Sequence, residues 1–168
     1  MKIRAAQLSD AGDLAAFHVR IWRETYRDMA PKAAYEQLNE ARRLPAWQSL
    51  LAQDRAQSGA FVAEDLGQLG ALISFARATD PLPEHLMEIT HLYVCDSQRG
   101  KGLGRRMLHT ALDHLKPHRG VCLAVVAENE NARRFYARLG GTEAARFSDK
   151  GPLWKSDNIR IDWPATPA

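Results

Sequence analysis

The glycine-rich stretch RGKGLG at residues 99–104 is the feature that most limits what this chain can fold into and bind. It lies between the strand-like run ITHLYV and the helix-like run RRML. A strand that passes through glycines into a helix leaves backbone N–H groups unpaired and facing one way. These amides and the positive end of the helix dipole favour a phosphate or diphosphate, and Arg99, Lys101 and Arg105 add positive charge. The sequence therefore predicts an anion-binding loop between a strand and a helix.

Two widespread phosphate-binding patterns do not fit this stretch. The P-loop pattern ends in Gly-Lys-Ser/Thr, which is not found here. The dinucleotide pattern G-x-G-x-x-G needs a third glycine at a position where Arg105 or Met107 stands. A glycine turn surrounded by solvated charges stays open as the simpler interpretation.

Length and composition predict an ordinary globular protein. The chain has 168 residues, 45% hydrophobic and 26% charged, which predicts a single domain over residues 1–168. The N-terminus MKIRAAQLSD lacks the apolar segment of a signal peptide, and the longest apolar runs are too short to span a bilayer. We therefore expect a cytoplasmic protein that does not act at a membrane.

The net charge of +3 would suit an anionic ligand and equally a nucleic acid. No basic tail, aromatic-basic RNA-binding pattern or zinc-finger spacing is present in the sequence, so nucleic acid is not the expected partner. Cys95 and Cys122 form no metal-ligand pattern, and no metal is expected. Both cysteines are interpreted as small core residues, with a catalytic Cys95 as the alternative.

The hydrophobic pattern predicts an α/β domain around a mixed sheet. An edge strand is followed by a helix at residues 9–30 and by a second helical segment at 31–53, which Pro45 is expected to interrupt. Three strands form a meander over residues 60–94. The glycine loop, an amphipathic helix, the apolar strand GVCLAVVA, a short helix and two further strands complete the chain.

Two motifs give the chain a family resemblance. Residues 99–104 have the form R/Q-x-x-G-x-G/A, which resembles the acetyl-CoA loop of the GCN5-related N-acetyltransferase (GNAT) family. A second motif reproduces that family's pattern N-x-x-A-x-x-F-Y-x-x-x-G at Asn129, Ala132, Phe135, Tyr136 and Gly140. The order of predicted elements is also similar to the family fold along nearly the whole chain. One departure is Gly141, where the family usually has Phe, and it is expected to loosen packing at that helix end.

The resemblance implies a central sheet of about seven mostly antiparallel strands flanked by about four helices. It also implies a V-shaped splay between the fourth strand, ITHLYV, and the fifth, VCLAVVA. The pantetheine arm of acetyl-CoA would lie in this gap and pair with the backbone of Leu92, Tyr93 and Val94. The diphosphate would lie on the loop and the first helical turn, at Arg99, Gly100, Lys101, Gly102, Leu103, Gly104 and Arg105. Asn129 would contact a pantetheine amide, a role compatible with its simpler interpretation as a helix N-cap.

The reaction implied by the resemblance is acetyl transfer to a primary amine by direct attack in a ternary complex. An amine is protonated at neutral pH, so a base must accept a proton before attack. The position that the family often uses is occupied by Glu88, which as an alternative is simply an exposed strand residue. His91 is the other candidate, and regular strand alternation would point it away from Glu88.

The same resemblance assigns the acid that protonates the departing thiolate to Tyr136. The carbonyl oxygen would be held by a backbone N–H, that of Leu92. Trp22 and Tyr26 lie four residues apart on one helix face and are candidates for the wall of an acceptor pocket, although a buried aromatic pair is the more common explanation.

The acceptor would be a small-molecule amine or a protein amine, and a homodimer is compatible with the family. The rival interpretation is an acyl-CoA sensor with the same fold and no turnover. The presence of both Glu88 and Tyr136 argues against it, because a sensor needs neither residue.

Overall fold

A seven-stranded mixed sheet forms the centre of the molecule, and the computed structural model describes residues 1–115, 119–151 and 153–165. The order across the sheet is β1-β2-β3-β4-β5-β7-β6, with β4 and β5 parallel and every other neighbouring pair antiparallel. This confirms the predicted fold class. The strands are β1 (Lys2–Ala5), β2 (Ser58–Asp65), β3 (Gln68–Arg77), β4 (Met87–Val94), β5 (Val121–Val126), β6 (Thr142–Asp149) and β7 (Ser156–Trp163).

Five α-helices flank the sheet within the described residues. They are α1 (Ala11–Thr25), α2 (Lys32–Gln37), α3 (Glu40–Ala52), α4 (Leu103–Leu115) and α5 (Glu130–Arg138). None of these helices is long and apolar enough to cross a membrane.

The fifth helix arises because the second predicted helical segment is divided at Leu38 and Asn39. The predicted interruption at Pro45 is wrong, since Pro45 lies inside α3. The chain is extended at Asn39, and the Asn39 side chain accepts a hydrogen bond from the backbone N–H of Arg42 at 2.9 Å. This N-cap starts a new helix before the proline, so Pro45 removes one helical hydrogen bond without ending the helix.

The two faces of the sheet carry different helices. Helices α4 and α5 cover one face, where Met107 and Leu108 of α4 are fully buried. Helices α1, α2 and α3 cover the other face, where Leu14 and Ile21 of α1 are buried. Burying such side chains contributes roughly 1.5–3 kcal/mol each. We refer to these as the α4 face and the α1 face.

Strand β4 contains a bulge at Thr90. Ile89 pairs with Phe75 of β3. The next residue of β4 with a partner is His91, which pairs with Ser74, so Thr90 is the extra residue.

The bulge moves the side-chain alternation of β4 by one residue. Before it, Met87 and Ile89 face the α4 core, so Glu88 between them points to the α1 face. After it, Leu92 packs against the α4 core, whereas Tyr93 belongs to the α1 core. The prediction that His91 points away from Glu88 is therefore wrong, because regular alternation does not hold across a bulge. Both side chains lie on the α1 face.

The end of α5 is tightly packed, contrary to the prediction from Gly141. Gly140 has φ +80, and the N–H of Gly141 donates to the carbonyl of Tyr136 at 3.0 Å. A Cβ atom at position 141 would lie 2.6 Å from Ile161 Cγ2 and 2.7 Å from Trp163 Cζ2. The side chains of β7 therefore occupy the space that a larger residue would take.

Candidate active site

Strands β4 and β5 separate after a short paired stretch. Their parallel pairing joins Met87 to Val121 and Glu88 to Cys122. Beyond these pairs both strands continue, but they no longer pair with each other. A cavity of about 660 Å³ occupies the gap and is lined by residues 89–94 of β4 and 123–125 of β5. The predicted splay between the fourth and fifth strands is present, and its cavity has the size of a cofactor site.

The cavity passes through the sheet from one face to the other. On the α4 face it is lined by Leu103 at the start of α4 and by Phe135 and Tyr136 of α5. On the α1 face it is lined by Ile21 of α1 and by Tyr26, directly after that helix. Ligands that approach from opposite faces can therefore meet within the gap.

The glycine loop presents a row of free backbone amides at the α4 side of the cavity. After a short 3-10 helix at Asp96–Gln98, α4 begins at Leu103. The N–H groups of residues 100–105 donate no hydrogen bond within the described part of the chain. Gly100 and Gly102 have φ of +72 and +77, in the left-handed region that favours glycine. The predicted loop geometry is therefore present.

The basic side chains of the loop differ in how they are held. The Arg99 side chain donates to the Val94 carbonyl at 3.2 Å and to Asp96 at 3.1 Å, and it lies 4.0 Å from Glu24. Arg99 thus fixes the loop to its surroundings. Arg105 lines the cavity, and Lys101 is exposed on the loop. Arg99 also lines the cavity but is paired with acidic side chains, whereas Lys101 is not among the lining residues, so Arg105 is the best placed of the three to neutralise an anion.

The edge of β4 that faces the gap carries unpaired backbone groups. The N–H of Cys95 donates to Gly70 beside β3 at 2.9 Å. Because amide direction alternates along a strand, the N–H groups of Leu92 and Val94 point to the opposite side, into the gap. Tyr93 also lines the cavity, and it belongs to the α1 core. This is the edge on which the family resemblance implies a pantetheine arm.

Tyr136 lies at the α4 side of the gap with its ring fixed by aromatic neighbours. Its ring centroid is 5.2 Å from that of Phe135 and 5.9 Å from that of Trp163. The hydroxyl has no hydrogen-bond partner among the described residues, and it is not sealed from solvent. Burial raises the pKa of Tyr136, and the nearby Tyr26 hydroxyl adds to the rise. Both phenols line the same cavity.

Glu88 lies at the closed end of the gap, where β4 still pairs with β5. It is partly buried and is not among the residues that line the cavity. Burial raises the pKa of Glu88 to about 7, and the negative charge of Asp149 adds to the rise. A carboxyl group with this pKa can accept a proton near neutral pH, whereas an exposed glutamate on a strand would keep its ordinary, lower pKa.

His91 lines the cavity, and its surroundings keep it neutral. Its Nδ1 lies 2.8 Å from Ser74 Oγ, and the same oxygen lies 2.7 Å from Thr90 Oγ1. Burial and the positive charge of Arg43 lower the pKa of His91 to about 3. His91 therefore offers the cavity a neutral imidazole.

Sequence reasoning missed a second histidine behind His91. His18 is 1% exposed, its ring centroid lies 4.5 Å from that of His91, and neither of its ring nitrogens has a partner. The available signal was its spacing, because His18 is four residues after Leu14 and four before Trp22 on the buried face of α1.

Asn129 is the N-cap of α5, as the simpler interpretation predicts. Its Oδ1 accepts a hydrogen bond from the N–H of Ala132 at 3.2 Å, and the residue also lines the cavity. Its amide N–H₂ group is the part left to contact a ligand. The contact with pantetheine stays a prediction.

Trp22 and Tyr26 belong to a larger aromatic cluster on the α1 face. Their ring centroids are 5.2 Å apart. Tyr35 of α2 lies 5.2 Å from Trp22, and Trp154, from the segment before β7, lies 5.5 Å from Trp22 and 5.6 Å from Tyr26. Trp22 is buried, whereas the other three rings are partly exposed. Sequence reasoning did not predict that Tyr35 and Trp154 join the pair, because both lie on other segments of the chain.

The cysteines lie outside the candidate site. Cys95 Sγ is 3.3 Å from Ser97 Oγ, and Cys95 does not line the cavity. Cys122 is buried, and burial raises its pKa to about 12. Within residues 1–115, 119–151 and 153–165 no group of three or more His, Cys, Asp or Glu side chains could hold a metal ion.

The chain is a mixed α/β domain whose sheet opens between two parallel strands beside a glycine loop, and comparison with known proteins identifies its family. Residues 19–141 match the Acetyltransferase (GNAT) family. The chain belongs to this family, as the two sequence motifs predict.

Individual relatives agree with this assignment. An uncharacterized N-acetyltransferase, YuaI of Bacillus subtilis, is 29% identical over 164 residues, which cover 96% of this chain and 92% of YuaI. The PaiA N-acetyltransferase of Thermoplasma acidophilum, solved in complex with coenzyme A, has a TM-score of 0.77 at 16% identity, covering 97% of this chain and 98% of PaiA. The protein yncA of Salmonella typhimurium, solved with its cofactor acetyl-CoA, has a TM-score of 0.73 at 19% identity, covering 100% of this chain and 95% of yncA.

Proposed function

We propose that the protein is an acetyl-CoA-dependent N-acetyltransferase that transfers an acetyl group to a primary amine by direct attack in a ternary complex. The observation that carries the proposal is the cavity through the splayed sheet. It joins a loop of free backbone amides on the α4 face to an aromatic surface on the α1 face. The coenzyme A and acetyl-CoA bound by two proteins of similar fold support the same donor.

The residues of the cavity fit acetyl-CoA by the chemistry of their donors. The free N–H groups of residues 100–105, at the start of α4, suit the oxygens of a diphosphate. The gap-facing N–H groups of Leu92 and Val94 and the amide of Asn129 suit the amide groups of a pantetheine arm. Acetyl-CoA supplies an activated thioester, and the chain supplies binding, orientation and proton transfer.

Three groups of the chain would assist the transfer. Glu88 accepts a proton from the incoming ammonium, through water because the carboxyl group lies behind the cavity lining. The amine nitrogen then forms a bond to the acyl carbon, and the N–H of Leu92 stabilises the negative charge that develops on the carbonyl oxygen. As the carbon–sulfur bond breaks, the sulfur takes the electron pair and the hydroxyl of Tyr136 donates a proton to it. The nitrogen, which is positively charged after attack, releases its second proton to solvent, and Tyr136 regains a proton from solvent, so that the products are the neutral amide and the free thiol.

The raised pKa of Tyr136 affects its role as a donor to the sulfur in two ways. The hydroxyl is fully protonated at neutral pH, so the donor form is the one present. It is also a weaker acid than a free phenol, which favours hydrogen bonding to the sulfur in the transition state over complete early proton transfer.

The alternative, a sensor that binds acyl-CoA without turnover, is less well supported. A sensor requires the cavity and the amide loop alone. It does not require the carboxyl group of Glu88, with its raised pKa, at the closed end of the gap. Nor does it require the unbonded hydroxyl of Tyr136 beside the gap.

The proposal is tested by combining a binding assay with a transfer assay. Coenzyme A at millimolar concentration should raise the melting temperature by mass action, and ATP at the same concentration should raise it less. Acetyl-CoA with a panel of primary amines should release free thiol in an amine-dependent manner. A melting temperature unchanged by coenzyme A would remove the cofactor assignment. Binding without thiol release across the panel would favour the sensor.

A further inference from the structure

The α1 side of the cavity has a composition that restricts what can bind there. Tyr26 lines the cavity, and Trp22, Tyr35 and Trp154 form an aromatic cluster with it beyond the lining. The α1 region also contributes the apolar side chains of Ile21 and Met29, the small polar side chain of Thr25 and the carboxylate of Glu24 to the lining. This entrance is therefore mainly apolar and aromatic.

Within the aromatic cluster, the four rings have different roles. Trp22 is 4% exposed, so it forms the base on which the others pack. Tyr26 lines the cavity and contacts Trp154, and it thereby connects the exposed part of the cluster to the gap between the strands. Tyr35, Trp154 and Tyr26 are partly exposed, and their free surface is the part of the cluster that a ligand can touch.

One carboxylate, that of Glu24, lines the cavity on this side, whereas Asp28 and Arg27, of opposite charge, act on Tyr35 and do not line the cavity. Glu24 is the one charged residue that α1 contributes to the cavity lining, and its side chain is 35% exposed. Its ion pair with Arg99, at 4.0 Å, is at the long limit for such a contact. A primary amine reaches the protein as an ammonium ion, which is attracted both by a carboxylate and by the faces of aromatic rings. One carboxylate matches one ammonium group.

The geometry points to the class of acceptor. We propose that the acceptor is a monoamine whose amino group is carried by an apolar or aromatic group of about side-chain size. That group packs on the exposed faces of Tyr26, Tyr35 and Trp154, and the ammonium lies towards Glu24 before it loses its proton. Polyamines and small hydrophilic amines would leave this surface unfilled or would place extra charge against it. This assignment rests on the proposed acetyl transfer.

The test compares phenethylamine with ethanolamine and spermidine in the parent protein. Phenethylamine should have the highest kcat/KM, by roughly tenfold or more over ethanolamine. In Trp154→Ala the kcat/KM for phenethylamine should fall roughly tenfold through a higher KM, with little change for ethanolamine or in the KM for acetyl-CoA. Trp154→Phe, which keeps a ring, should recover most of the loss. Phe147→Ala removes a partly buried ring outside the cluster and should leave the preference unchanged.

Binding of phenethylamine to the protein saturated with coenzyme A separates this proposal from the proposed function. Binding that weakens in Trp154→Ala, without transfer to any amine, would support the aromatic site and contradict the acetyltransferase. Transfer to ethanolamine or spermidine at least as efficient as to phenethylamine, with Trp154→Ala equal to the parent, would overturn the acceptor class and leave the acetyltransferase standing. If phenethylamine neither binds nor is acetylated, the proposed acceptor class is also overturned.

Discussion

Glu88 and Tyr136 both have a raised pKa, and the consequences for the proposed chemistry are opposite. A tyrosine of raised pKa keeps its proton across the physiological range, so Tyr136 is present as a donor at every pH of interest. A carboxyl group of pKa about 7 is protonated below neutrality, so Glu88 becomes a proton acceptor only above it. The two roles are therefore both available at and above pH 7.

Replacing Tyr136 by Phe tests the donor without changing the ring. We expect kcat and kcat/KM to fall together by roughly 10²-fold or more, with little change in the KM for acetyl-CoA. The stability should be nearly unchanged, because the hydroxyl makes no hydrogen bond within the described part of the chain. Steady-state kinetics and thermal melting on the same preparation decide the question. A lower melting temperature with normal turnover would assign Tyr136 a purely structural role.

Replacing Glu88 by Gln should change both activity and stability with pH. Because the folded-state pKa of about 7 lies above the ordinary value of 4.5, Glu88 favours folding at low pH and this contribution is lost as the pH rises through 7. Glu88→Gln should therefore gain stability relative to the parent by about 3 kcal/mol at pH 8 and little at pH 4.5.

The activity of Glu88→Gln should fall most above pH 7, where the parent carboxyl group is ionised. Urea denaturation and initial rates over pH 5–9 measure both effects. Glu84→Gln, at an exposed site before β4, is the control and should show neither. An activity profile equal to that of the parent would exclude Glu88 as the base.

At the scale of single elements, a pair of glycine variants can separate the role of the glycine loop in binding from the effect of backbone strain on stability. Gly102 has φ +77 in the loop, and Gly67 has φ +76 in the turn between β2 and β3. A Cβ atom would meet no other atom within 4 Å at either position. Gly102→Glu and Gly67→Glu should therefore lose similar stability, roughly 1–2 kcal/mol.

Only Gly102→Glu should lose coenzyme A binding, because it places bulk and negative charge against the free amides of the loop. The measurement is the shift in melting temperature caused by coenzyme A, compared between the two variants. An equal shift in both variants would show that the loop does not hold the diphosphate.

The end of α5 gives a prediction about packing. Gly141→Ala should destabilise the fold by about 1–3 kcal/mol, because its Cβ would lie within 3 Å of both Ile161 and Trp163. Gly12→Ala, in the first turn of α1 with open space around it, should be neutral or stabilising by up to about 1 kcal/mol. Chemical denaturation of both variants checks this. A neutral Gly141→Ala would mean that β7 adjusts to a larger residue.

The elements differ in how well the sequence predicts them. The loop at 99–104 and the helix that carries Tyr136 were predictable, because glycine spacing and helix capping are local properties. The bulge at Thr90 was not, since it depends on how β4 pairs with β3. The aromatic cluster was half predictable, because Trp22 and Tyr26 share one helix face whereas Trp154 reaches them through the fold.

In the whole molecule, the helices of the α1 face and of the α4 face are held apart by one sheet, and the gap between β4 and β5 joins the two sides. Because the sheet is open here, β4 has a row of unpaired backbone groups along the gap. A group of buried polar rings lies on the α1 face beside this strand. His18 and His91 lie there in contact, beside Trp47. Acid should therefore act on the stability of the whole fold through this group.

The last prediction concerns the pH dependence of folding. Burial lowers the pKa of His18, a proton on the neighbouring His91 would lower it further, and the positive charge of Arg43 adds to the effect. For a histidine of lowered pKa, the folded state binds fewer protons than the unfolded state, so stability is complete above pH 6.5 and is lost as the pH falls below it. The loss should reach about 2 kcal/mol for each of the two histidines at pH 5.

His18→Phe should reduce this loss by about half and should also stabilise the fold at pH 8, because it removes two buried ring nitrogens that have no partner. His109→Gln, at an exposed position of α4, should behave like the parent. Glu88 contributes with the opposite sign in this pH range, so the informative quantity is the difference in free energy of unfolding between variant and parent at pH 8 and pH 5. A difference that does not change with pH would show that His18 can bind a proton without unfolding, and that the contact between the two histidines does not limit the acid stability of the protein.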